Sequence, residues 1–215
     1  MISAAVDNDV LIKLSAYDLL DPGLDALGGV GQVGVLGAAR FVVPAALERD
    51  DRIQQPERAI AAWRAVGPLV EALEPSEPEL QLAAALEERA ARRGLPLDAG
   101  ESQLISIVVL RAVPVLATGD KRAIEAAQQM RTDIEPLEAL DGRVVCLEQI
   151  AACLVESLGS NRVRVSVCEE PGADRAMTIC MGCAGMAHGS EFSDEGLLAY
   201  IAAVRESAPT LIGEL

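Results

Sequence analysis

The chain has 215 residues, with 33 Asp+Glu against 18 Lys+Arg, and a formal net charge of −15 at pH 7. Apolar residues make up 51% and charged residues 24%, which argues against intrinsic disorder. A chain of this size buries roughly 70% of its unfolded surface. No stretch of 18 apolar residues is free of charge, so no transmembrane helix is expected. The opening Met1-Ile2-Ser3-Ala4-Ala5-Val6-Asp7 lacks a basic region, so it does not read as a signal peptide. A cytoplasmic location with no membrane partner follows as the expectation. Five cysteines are an odd count, which excludes a complete intrachain disulfide framework, and cytoplasmic thiols are expected to stay reduced. The acidic balance argues against a non-specific coat for nucleic acid, because Lys and Arg drive phosphate binding. It leaves room for a local basic groove.

In chain order, residues 3–6 predict a buried strand ending in Asp7-Asn8-Asp9. The apolar residues 10–14 predict a short helix that stops before Pro22. The Gly-rich residues 23–37 read as a loop with a short irregular helix. Residues 40–44 predict a second strand, closed by Pro44. Helices follow over 45–51, 57–73 and 79–93, the last amphipathic and closed by Gly94. After a loop at 95–100, residues 101–112 predict a helix buried all round. A strand at 113–118, a helix at 121–130, a strand at 143–147 and a helix at 148–158 complete the alternation. In the tail, the pattern predicts a strand over 163–167, a polar loop, a Cys-containing segment and a helix over 194–207.

Strands alternating with helices indicate an α/β fold in layers around a mainly parallel sheet. The composition shifts near residue 159. The expected organisation is a domain over 1–158 and a small C-terminal appendage over 159–215.

The acids fall where this topology gives them meaning. Asp7 follows the first strand, Glu48 lies just past Pro44, Glu101 opens a buried helix, and Asp120 follows the strand at 113–118. In a parallel sheet the C-terminal strand ends share one edge, where ligand sites form. Four carboxylates meeting there require a counter-charge, and all-oxygen ligation suits Mg²⁺ or Mn²⁺. Such a site activates water and stabilises phosphoryl charge. The plainer reading makes Asp7 and Glu101 helix caps or first-turn acids favoured by the helix dipole.

These segments resemble the PIN-domain nucleases. The run Ala5-Val6-Asp7-Asn8-Asp9-Val10-Leu11-Ile12 is similar to the opening of that family. The run from Phe41 to Glu48 resembles its second strand and following acid. Gly100-Glu101-Ser102 and Thr118-Gly119-Asp120 resemble its third acidic site and its closing Thr-x-Asp. The resemblance covers about residues 3–158. It implies a three-layer PIN-like fold and Mg²⁺- or Mn²⁺-dependent hydrolysis of RNA, leaving 5′-phosphate and 3′-hydroxyl ends. It also implies Asp7, Glu48, Glu101 and Asp120 as metal ligands, with Asp9, Asp98 and Thr118 supporting them. Arg49, Arg52, Lys121 and Arg122 would hold the RNA backbone. An antitoxin-like or other protein partner is compatible with the family. Trp63 and the Leu/Ala stripes of residues 57–93 read as core or as a homodimer face.

Two alternatives start from the same residues. One is a non-catalytic PIN-like binding or scaffold protein, suggested by the negative surface and the extra segments. The other is a haloacid-dehalogenase-like phosphatase, with Asp7 as nucleophile and Asp9 as general acid. In the tail, Cys168, Cys180, Cys183 and His188 form C-x11-C-x2-C-x4-H, a pattern able to close a tetrahedral structural Zn²⁺ site. Against that stands their reading as small buried thiols.

Overall fold

The computed structural model describes residues 2–186 and 192–215. Five strands lie in one sheet: β1 (Ala4–Val6), β2 (Val33–Leu36), β3 (Glu71–Leu73), β4 (Val115–Thr118) and β5 (Val144–Cys146). Every pairing is parallel and the order is β3-β2-β1-β4-β5. Parallel neighbours need crossover connections, which place helices on the sheet faces. The architecture is the expected α/β one, with an all-parallel sheet between helical layers.

The chain starts in the middle of the sheet, builds outward through β2 and β3, then returns to add β4 on the other side of β1. The direction of growth reverses between β1 and β4. A crevice opens at such a switch point, beyond the carboxyl ends of the strands. Among the helices that begin along that edge are α1 (Asn8–Ala16) directly after β1, α6 (Ala99–Leu110) before β4, and α7 (Lys121–Met130) after β4.

Several elements differ from the sequence expectation. Residues 40–44 are not a strand but part of α3 (Ala39–Arg49), with Pro44 inside the helix. The reason is the stripe Ala39, Val43 and Leu47, spaced four apart and buried. The true second strand is β2, within the glycine-rich stretch. There Gly34 is pressed against β3: a Cβ on it would stand 2.8 Å from Leu73 Cδ1. Pro22 does not end a helix, because it lies in the first turn of α2 (Leu20–Ala26), where its missing N–H costs nothing. The helix expected over 57–73 is α4 (Pro56–Val66), followed by a 3₁₀ turn and β3. The expected helix at 79–93 is α5 (Glu77–Arg93), closed by Gly94 in the left-handed conformation.

After α8 (Leu147–Leu158), residues 163–167 form helix rather than strand, within α9 (Ser160–Glu169). Val163 and Val167 are one helical turn apart and both buried, so the period-2 pattern also fitted a helix. α10 (Arg175–Cys180), α11 (Cys183–Met186) and α12 (Glu195–Ser207) follow. This C-terminal segment shares the hydrophobic core of the sheet through Val163, Met177, Leu197 and Ile201. Its end returns to β5, where Val144 pairs with Ile212 and Gln149 Nε2 donates to the Gly213 carbonyl at 2.8 Å. Among the described residues, no helix is long and apolar enough to cross a membrane.

Candidate functional site

An open cleft of about 540 Å³ lies over the switch point, lined by Asp7, Asp9, Asp98, Glu101 and Asp120 together with Asn8, Ile12, Leu36, Ala38, Val42, Gly100 and Gln103. Three of the four expected ligands therefore share one cleft. Glu48 does not line it. With residues 40–44 helical, Glu48 falls in the last turn of α3, exposed. It is six residues past Val42, which does line the cleft. That spacing carries it about 9 Å along the helix and about 120° around it.

Each cleft acid also has a local partner. Asp7 caps α1, its Oδ1 accepting from the Asn8 N–H at 2.7 Å. Asp98 and Glu101 form a reciprocal capping box on α6, with both hydrogen bonds at 2.8 Å. Asp120 caps α7, accepting from the Arg122 N–H at 2.8 Å, and pairs with the Arg122 guanidinium at 2.9 Å. Asp9 Oδ2 is held by Lys13 Nζ at 2.6 Å, one turn along α1. Thr118 is buried, and its Oγ1 accepts from the Asp120 N–H at 3.2 Å.

Below the cleft is a small apolar pocket of about 20 Å³, room for about one water. Leu104, Ile105, Leu116 and Ile124 line it, and Asp7 and Glu101 reach it from above. This apolar floor is why both carboxyls are hard to ionise. Burial, then the charges of Asp9 and Asp98, push Asp7 up to about 6. Burial, reinforced by Asp98, Asp120 and Asp7, pushes Glu101 up to about 7. Asp9 is also raised, by burial first, with Lys13 opposing. Asp120 goes the other way: burial raises it, but hydrogen bonds from Arg122 and from the N–H groups of Arg122 and Ala123 outweigh burial and lower it.

The oxygen-only donor set suits a hard divalent cation. In the conformation seen, the carboxylates face their own helix starts. Among the described residues, no group of three His, Cys, Asp or Glu side chains is arranged to hold a metal ion. Both oxygens of Asp120 are engaged by Arg122, and Oε2 of Glu101 accepts from the Asp98 N–H.

The expected RNA-holding bases are mostly committed elsewhere. Arg52 pairs with Asp50 at 2.6 Å, and Lys121 pairs with Glu148 at 2.6 Å and lies 4.2 Å from the centre of the Tyr200 ring. Arg49 borders an apolar patch on α3 that includes the exposed Phe41.

In the tail, Cys168 and Cys183 form a disulfide, which corrects the expectation of reduced thiols. Two of the four expected zinc ligands are thus bonded to each other. The disulfide and a zinc site are alternatives, since zinc takes thiolates. Cys180 is free and buried, and burial, then the charge of Glu148, pushes its thiol up to about 12. His188 lies outside the described residues.

Sequence reasoning missed Lys13, Glu148, Asp174 and Tyr200. The Asp9–Lys13 spacing of four on one helix was a readable signal. The Lys13–Asp174 and Lys121–Tyr200 contacts join distant segments and left none. Compared with known proteins, the chain matches no protein-family model and no curated relative.

Proposed function

We propose that this chain is a divalent-metal-dependent ribonuclease that hydrolyses RNA phosphodiester bonds in the cleft at the β1/β4 switch point. The observation that carries the reading is the convergence of Asp7, Glu101 and Asp120, from three separate segments, on one cleft over an apolar floor. Surrounding Asp7 and Glu101 with acids that raise their pKa is costly unless a cation is bound for part of the working cycle. Asp7, Glu101 and Asp120 would hold Mg²⁺ or Mn²⁺, with Asp9 and Asp98 adding negative charge behind them. The cation supplies Lewis acidity and lowers the pKa of the attacking water.

The chain's own residues do the rest. As water adds to phosphorus, a proton leaves to solvent through the open cleft, and solvent protonates the departing 3′-oxygen. The bond to the 3′-oxygen breaks, leaving a 3′-hydroxyl and a 5′-phosphate. Arg122, already beside Asp120, places a guanidinium at the rim of the cleft for the phosphate. The reading carries a cytoplasmic location, in which the Cys168–Cys183 disulfide is an exception to the reduced state of most thiols.

A second reading, a non-catalytic scaffold, is favoured by one specific observation: Asp7, Asp98, Glu101 and Asp120 all serve as helix caps or in a capping box. The phosphatase alternative is weakened, because Lys13 Nζ lies 2.6 Å from Oδ2 of Asp9, the residue that would act as general acid, and so favours its ionised form.

Asp7→Asn, Glu101→Gln and Asp120→Asn separate the two readings, since Asn and Gln keep the cap acceptors and remove the charge. The nuclease predicts Mn²⁺-dependent cleavage of generic RNA that each variant abolishes. The scaffold predicts no cleavage by the native chain and well-folded variants.

A further inference from the structure

The chain contains two lysines, Lys13 and Lys121. Lys13 lies in the last turn of α1 and Lys121 opens α7, two helices that border the cleft, and both lysines are held by residues that follow β5. Lys13 Nζ is 2.6 Å from Asp174 Oδ2 and 2.6 Å from Asp9 Oδ2, and its side chain is only 13% exposed. Lys121 Nζ pairs with the buried Glu148 and lies against the Tyr200 ring.

Asp174 is well seated. It caps α10 through Oδ1, which accepts from the Met177 N–H at 2.8 Å. Its loop is closed by the Cys168–Cys183 disulfide and anchored by Glu170, whose Oε2 accepts from the Gln54 N–H at 2.6 Å. The loop backbone also fits closely: a Cβ on Gly172 would stand 2.3 Å from the Arg52 carbonyl oxygen. At the other end of the relay, Asp9 and Lys13 pack on the β4–α7 turn, so that a Cβ on Gly119 would stand 2.2 Å from Asp9 Oδ2 and 3.3 Å from Lys13 Nζ.

We infer that Asp174, from the C-terminal segment, is a positioning residue of the cleft: by sharing Lys13 with Asp9, it fixes where Asp9 sits and leaves Asp9's negative charge available to a bound cation. This rests on the metal-dependent reading of the cleft. With Asp174 neutral, the Lys13 cation is matched by Asp9 alone. The Asp9–Lys13–Asp174 group changes from net −1 to net 0 beside Asp7. A cation in the cleft then binds less tightly, and a phosphate-bearing ligand binds more tightly. The C-terminal segment is therefore part of the site. Tyr200 acts in the same direction on Lys121, more weakly, because Glu148 remains as its partner.

The test uses the full chain and its Asp174→Asn, Asp174→Glu and Tyr200→Leu variants. Mn²⁺ affinity is measured by calorimetric titration, and affinity for a short RNA by fluorescence anisotropy in EDTA. Asn is a good helix cap, so Asp174→Asn keeps α10 closed while removing the charge and the Oδ2 acceptor that faces Lys13. The expected result for Asp174→Asn is a Mn²⁺ Kd raised about three- to ten-fold and an RNA Kd lowered about two- to three-fold. Asp174→Glu should restore both to within about two-fold, and Tyr200→Leu should shift both in the same directions by less. A merely structural role for Asp174 would weaken both ligands together, and that result overturns the inference. Equal Mn²⁺ affinity in the native chain and Asp174→Asn overturns it while leaving the metal reading intact. No Mn²⁺ binding by the native chain sinks both.

Discussion

Two glutamates of this protein occupy the same local position and are driven in opposite directions. Glu79 is the third helical residue of α5, in a capping box with Ser76, and Glu101 is the third of α6, in a capping box with Asp98. Each accepts a hydrogen bond from its cap residue's N–H, at 2.6 and 2.8 Å. Arg111 grips Glu79 with two further bonds, at 2.7 and 2.8 Å, which hold its carboxyl down to about 2. Glu101 has an apolar floor and three other carboxyls around it, and it rises to about 7. Capping thus explains why a glutamate sits at either position, but not its charge state. Around Glu79 a cation is built into the fold. Around Glu101 the fold gathers acids, and that difference is the strongest argument that the cleft takes a cation from outside.

The largest effect that could break this contrast is on activity. Asp7→Asn, Glu101→Gln or Asp120→Asn should each lower Mn²⁺-dependent RNA cleavage by roughly 100-fold or more, about 3 kcal/mol of barrier. Circular dichroism should stay native, because the caps survive. Cleavage that persists in these variants would reduce the cleft acids to caps.

The next effect belongs to the other glutamate. Arg111→Ala takes the cation from Glu79 and should cost roughly 1–3 kcal/mol in urea denaturation. A loss under about 0.5 kcal/mol would show that the pair is only a surface contact.

The two sites should also titrate with opposite signs. Glu79, depressed when folded, contributes stability that is present above pH 4.5 and is lost as pH falls towards 2. Asp7 and Glu101, raised when folded, favour the native state below about pH 4, and this contribution is lost as pH rises through about 6 and 7. Without metal, Glu101→Gln should therefore be more stable than the native chain at pH 8, by about 1 kcal/mol after allowing for its partial exposure. Their stabilities should converge at pH 4. Parallel stability curves for the two proteins would contradict the assigned environment.

The smallest expected effect is at Gly119. Gly119→Ala forces Asp9 and Lys13 off the β4–α7 turn and should cost about 1 kcal/mol in thermal denaturation, since only side-chain ends must move. No change would mean that this pair is free to swing away.

The sequence made most of the architecture readable where local signals agreed. The apolar runs of β1, β4 and β5 each end at a helix start, and α5 carries both a capping box and Gly94. Reading failed where tertiary packing outweighed local cues. Phe41-Val42-Val43-Pro44 looks like a strand, yet the buried face of Ala39, Val43 and Leu47 makes it helix, and the acid assigned from that strand, Glu48, left the site with it. Val33–Leu36 looks like loop because of Gly34, and only contact with Leu73 explains the glycine. Asp7, Glu101 and Asp120 were legible because each ends a strand or opens a helix, positions that the topology fixes. Asp174 was not, because its ion pair with Lys13 spans most of the chain.

The central claim is that Asp7, Glu101 and Asp120 turn from their helix starts to share one divalent cation. Anomalous diffraction from a crystal soaked in Mn²⁺ tests this directly. The account predicts one strong peak in the cleft, about 2.0–2.3 Å from an oxygen of each of the three side chains. An empty cleft at saturating Mn²⁺, with all three still capping their helices, would contradict it.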